Sequence, residues 1–159
     1  MKKLVLITLL SGLTMTLKAQ EARTYSDEEL TKYASVMVWA EEEKERMTGV
    51  YNNWINNNDD LNAPRFLDIK KAKGDSVKLL EIEATELELS AYSKILTDYD
   101  SMTTAFKAVY VGKIKEDIGA GLYNTLKKDL KSDDEVKGRY EAIVSALKEE
   151  AESGESDDQ

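Results

Sequence analysis

SDEELTKYASVMVWAEEEKERMTGVYNNWI, residues 26–55, decides how the chain folds. Leu30, Tyr33, Met37, Ala40, Lys44, Met47, Tyr51 and Trp54 recur at spacings of 3-4-3-4-3-4-3. All but Lys44 suit an apolar core, so the stretch reads as a long helix packed along a partner helix. Ser26 followed by Glu29 forms a capping box, and the acids of the first turn suit the positive end of the helix dipole. The Asn/Asp cluster at 56–60 is a terminating turn. It has neither the central glycine nor the terminal glutamate of a twelve-residue calcium loop.

Further along, Asn62 and Pro64 restart a helix, and Gly74 interrupts it. Residues 76–111 contain neither Gly nor Pro. Their stripe runs Val77, Leu80, Ala84, Leu87, Ala91, Ile95, Tyr99, Met102, Phe106 and Val109, with one inserted step near residues 91–99. This reads as a second long helix, with a break at Leu89-Ser90 as the alternative. Gly112, Gly119 and Gly121 mark a turn near Asp117. A short helix then places Leu122, Tyr123, Leu126 and Leu130 inward, and Ser132 to Glu135 reads as another capping box opening a last helix. No alternating strand pattern occurs. The expected fold is therefore all-α: a long helical hairpin with a coiled-coil-like seam and two shorter C-terminal helices packed on it.

The ends read differently. Met1-Lys2-Lys3, the apolar run from Leu4 to Leu10 and the small Ala19 have the form of a secretory signal peptide. The expected division is 1–19 signal peptide, 20–148 helical domain and 149–159 disordered acidic tail. Removing residues 1–19 takes away three lysines and no acid, moving the net charge from −9 to −12. Such a charge argues against nucleic-acid or anionic-membrane partners. The expected location is outside the cytoplasm, periplasmic or secreted, with no membrane insertion after cleavage.

The 159 residues include no His and no Cys. Serine hydrolysis assisted by His, thiol catalysis and ordinary zinc sites are thereby excluded. Glu41-Glu42-Glu43 and the Asp98/Asp100 pair read as solvated helix faces. Gly119 and Gly121 lack the strand and third glycine of a phosphate-binding loop. No catalytic, cofactor or metal residue is expected, and no cofactor. Lys44 reads as a register-setting or snorkelling cation. Asp75-Ser76-Val77 and Asp100-Ser101-Met102 match a short O-glycosylation signal of exported proteins, at the level chance supplies. Val36, Trp39 and Val50 lie beside the first seam and form the candidate interaction surface, to be covered by the C-terminal helices or by a partner.

Ile118, Tyr123, Asn124, Leu126, Asp133, Val136, Arg139 and Tyr140, together with residues 25–30, Tyr33 and Ala34, resemble the end and the opening of a bacterial family known as domain of unknown function 4168. Gly119 stands where that family tends to have a hydroxyl cap, and Asp134 where it often has Pro. The resemblance implies an exported helical domain and carries over no catalytic or binding residue. The expected function is a non-catalytic envelope module for protein interaction or self-association, its partner another envelope protein or a second copy. The alternatives are a carboxylate-dependent hydrolase of envelope glycans and a chaperone-like periplasmic binder.

Overall fold

The computed structural model describes residues 23–154, and the expected signal peptide lies outside them. Six α-helices and one π-helical turn follow in order: α1 (Asp27–Asn56), α2 (Ala63–Ala72), α3 (Ser76–Glu81), α4 (Glu86–Lys113), the π-turn (Ile114–Ile118), α5 (Ala120–Asp129) and α6 (Asp134–Gly154). No strand occurs among the described residues. The all-α reading and the long helix pair, α1 with α4, both hold.

Local chemistry sets each start and stop. Ser26 Oγ accepts from the Glu29 amide at 3.1 Å while the Glu29 carboxylate accepts from the Ser26 amide at 3.0 Å. Asn62 caps α2 by accepting from the Arg65 amide, and Asp75 caps α3 by accepting from the amides of Val77 and Lys78. Between α2 and α3 the chain reverses through Lys73 and Gly74, both at positive φ. Lacking a Cβ, Gly74 adopts that conformation without strain.

The second long helix is interrupted, though not at Leu89-Ser90. Glu83 turns left-handed at φ 52, and Thr85 and Glu88 form a capping box that starts α4. The continuous helix expected over 76–111 is therefore α3, a turn and α4. At its far end, α4 runs into the π-turn, closed by a Gly119 amide that donates to Ile114 O at 2.8 Å. Gly119, at φ 83, redirects the chain into α5. The last capping box is also different. Asp133, not Ser132, accepts from the Glu135 and Val136 amides and caps α6. Helix α6 reaches Gly154, so the expected boundary at 148/149 falls inside it, and residues 155–159 lie outside the described part.

Two apolar clusters sit at opposite ends of α1. The first gathers Tyr25, Leu30, Tyr33, Val36, Ile118, Leu126 and Val136, with Tyr110, Tyr123 and Tyr140 packed against it. The second joins Leu61, Phe66, Ile69 and Ile95 to Tyr51, Trp54 and Tyr92. Between them the hairpin is thin, held by Ala40, Met47 and the stacking of Trp39 on Phe106 at 5.9 Å.

Candidate functional site

Helix α1 lies between two helices. It packs most extensively on α6 and next on α4, whereas α4 and α6 share no comparable contact. A bundle of this kind has an open slot over α1, where a fourth helix would complete it. Met37, Ala40, Lys44 and Thr48 form the floor of that slot, spaced 3-4-4 along one face, with Tyr110 of α4 beside them. The resulting groove encloses about 630 Å³.

Its two rims differ in charge. On the α4 side, the Lys44 ammonium lies 5.9 Å from the Phe106 ring centre, a cation-π distance. Lys44 is exposed, which agrees with snorkelling. On the α6 side stand Glu41, bonded to Lys148 at 2.8 Å, and Glu45. Around α1 the acids continue with Glu42 and Glu43, which line a neighbouring hollow of about 710 Å³. Arg46 grips Glu43 through two hydrogen bonds, at 2.6 and 2.8 Å. The Lys148 side chain lowers the proton affinity of the Glu41 carboxyl, and Arg46 does the same for Glu43.

The N-terminal end of the groove is closed by tyrosines. Tyr110 and Tyr123 share a hydrogen bond at 3.3 Å, and the Tyr110 hydroxyl lies 3.6 Å from Met37 Sδ. Tyr33 stacks on Tyr123 and meets Tyr140 edge-on. Burial pushes the Tyr33 hydroxyl up to about 12, with the neighbouring Tyr123 and Tyr140 adding to it, and raises Tyr110 in the same direction. Tyr25 also reaches about 12, through burial first and then its 2.6 Å hydrogen bond to Asp129. Tyr25 and Tyr110 stay protonated across the physiological range, and their hydroxyls donate to Asp129 and to Met37 Sδ.

The family-like residues lie mostly at this end. Leu126, Val136 and Ile118 are buried, and Tyr123 and Tyr140 pack on them. Arg139 donates to Tyr25 O at 3.0 Å and pairs with Asp27, tying α6 to the start of α1. Asp133 is the cap of α6. Asn124 is exposed.

Val36, Trp39 and Val50 do not make a shared outer face. Val36 is 3% exposed, inside the first cluster. Trp39 is half-buried against α4, with Lys113 over its ring at 5.0 Å. Val50 is half-buried. The heptad seam assumed a single partner, but α1 has two, so its apolar arc is wider. Ala34, Val36 and Val38, all off the seam, are buried with it. The sequence signal for the groove was Lys44, the polar break in the seam, together with the acids at 41–45.

Among the described residues no cluster of three or more acidic side chains is arranged to hold a metal ion, and no helix is long and apolar enough to cross a membrane. No family model, curated protein or solved structure matches the chain.

Proposed function

We propose that this protein is an exported, non-catalytic module of the cell envelope that acts by binding another protein. The observation that carries the reading is the open slot over α1. A helix flanked by two others that have so little contact with each other offers a ready seat for a further helix. The signal-like start at residues 1–19, the absence of His and Cys and the ion-paired state of Glu41, Glu43 and Asp98 support it. Kinship with the domain of unknown function 4168 family belongs to the same proposal and rests on the residues quoted above.

The test is in the cell. A photo-reactive phenylalanine analogue at position 48, on the groove floor, is illuminated in intact cells, which are then fractionated. Adducts of higher mass in the envelope fraction support the reading. A chain that keeps Met1, stays in the cytoplasm and forms no adduct refutes it.

A further inference from the structure

We infer that the outer face of α4 pairs with the same face of a second copy, antiparallel and about a two-fold axis near Thr104. Helix α4 packs on α1 and α2 through Tyr92, Ile95 and Phe106. Away from them it carries Leu96, Asp100, Thr104, Lys107 and Val111, all exposed. Spacings of 4-4-3-4 keep these five on one face, over about 22 Å at 1.5 Å per residue. Leu96 and Val111 leave much of an apolar side chain in water, at 38% and 45% exposure.

The order of these residues selects the occupant. Read from either end, the face runs apolar, charged, hydroxyl, charged, apolar, and its two charges are opposite. A two-fold contact brings a surface against itself, so it needs a pattern that complements its own reversal. The register that sets Asp100 beside Lys107 of the second copy also sets Leu96 beside Val111 of that copy. It leaves the small Thr104 next to the axis, and each of these contacts forms twice. Parallel pairing would put like charges together at both positions and is repelled.

The charges are free to do this. Lys94 and Asp98 bond to each other within α4 at 2.6 Å, but Asp100 and Lys107 have no ion-pair partner among the described residues. Nor does the acidic balance of the chain oppose the contact. Residues 90–112 hold two lysines and two aspartates and are neutral, whereas the whole chain carries −9. Exposed ion pairs add little affinity, but they select register and orientation.

The test exploits a chain without cysteine. Thr104→Cys places one thiol beside the axis. Ser93→Cys places one near the start of α4, where antiparallel pairing holds the thiols of the two copies about 30 Å apart. Under a mild oxidant, Thr104→Cys should give a disulfide-linked dimer at least tenfold faster than Ser93→Cys. Sedimentation over a hundredfold range of concentration reads the cysteine-free forms. The parent should dimerise reversibly, and Asp100→Lys and Lys107→Asp should each weaken the dimer at least tenfold. The double variant Asp100→Lys/Lys107→Asp restores both pairs with the signs exchanged and should return to within threefold of the parent. Circular dichroism confirms that these variants keep the parent fold.

A parent that stays monomeric throughout overturns the inference. So does a dimer that the single reversals leave unchanged or that the double variant fails to rescue. Equal crosslinking at 93 and 104 overturns it too, since the contact then lies elsewhere or runs parallel. The inference does not rest on the slot. Crosslinking at position 48 reads α1, and either surface can fail without the other.

Discussion

Replacing Glu88 with Gln tests the second cluster at the one ion pair that organises it. The Arg65 guanidinium donates twice to the Glu88 carboxylate, at 2.6 and 2.8 Å, and also to Ile82 O at 2.8 Å and Glu83 O at 3.3 Å. One side chain of α2 thus clamps the turn that separates α3 from α4. Glu88 also accepts from the Thr85 amide at 2.9 Å, completing the cap of α4. Its bonds to Arg65, and next the Thr85 amide, depress its pKa from 4.5 to about 2. The pair is largely shielded, with side chains 27% and 15% exposed, so little of this is lost to solvent screening.

A depression of that size corresponds to about 3 kcal/mol, at about 1.4 kcal/mol per unit. Glutamine keeps an oxygen for the cap but loses the charge, so about 2 to 3 kcal/mol should disappear at pH 7. For a domain of this length that is roughly 10 °C in melting temperature. The sign follows from the direction of the shift. A depressed acid contributes fully above pH 4.5, and its contribution is lost as pH falls through about 2. Urea unfolding followed by tryptophan fluorescence, with Trp54 in this cluster, measures the loss at pH 7 and at pH 2.5. A deficit below 0.5 kcal/mol, or one that is the same at both pH values, refutes the reasoning.

The raised tyrosines give an alkaline counterpart. Tyr25 and Tyr33 contribute stability that is complete below pH 10 and is lost as pH rises through about 12, so absorbance near 295 nm should show their ionisation arriving together with loss of helix. Thr103 Oγ1 is buried without a hydrogen-bond partner among the described residues, and Thr103→Val should leave stability unchanged or raise it by up to about 1 kcal/mol in a urea melt. Tyr51 meets Phe66 edge-on at 6.1 Å and lies 4.5 Å from Tyr99, so Tyr51→Asp should cost several kcal/mol; a melt within two degrees of the parent would place that ring outside the core.

Periodicity and capping made most of the fold legible. The seam of α1 is visible because one face of a 30-residue helix repeats its apolar residues with a single polar break, Lys44. What failed were the places where two signals compete. Over 76–111 the apolar stripe outweighed Thr85 and Glu88, although that pair has the same three-residue spacing as Ser26 and Glu29. At Ser132 the hydroxyl looked like a cap, yet Asp133, one residue on, offers a charged acceptor to two amides and takes the position. The flank was read in part: Val36 lies in one cluster with Ile118, Leu126 and Val136, the C-terminal cover that was one of the two expectations, whereas Trp39 stacks on Phe106 of α4. A heptad count locates one partner and is silent about a second helix that lies far along the chain. Lys44 and the acids beside it marked the face of α1 that carries the groove but not its extent, because the groove is the space left between α4 and α6.

The strap from α5 and α6 to the start of α1 also bears on when this chain can fold. Tyr25 is held by Asp129 and by Arg139, partners 104 and 114 residues away. A ribosome releases Tyr25 early and Arg139 near the end. Until the last helix emerges, the cluster around Leu30, Tyr33 and Val36 lacks Val136, Tyr140 and Ile143. The start of α1 thus gains its full cover only when the C-terminal helices are made, whereas the second cluster, drawn from residues 51–95, can close before them.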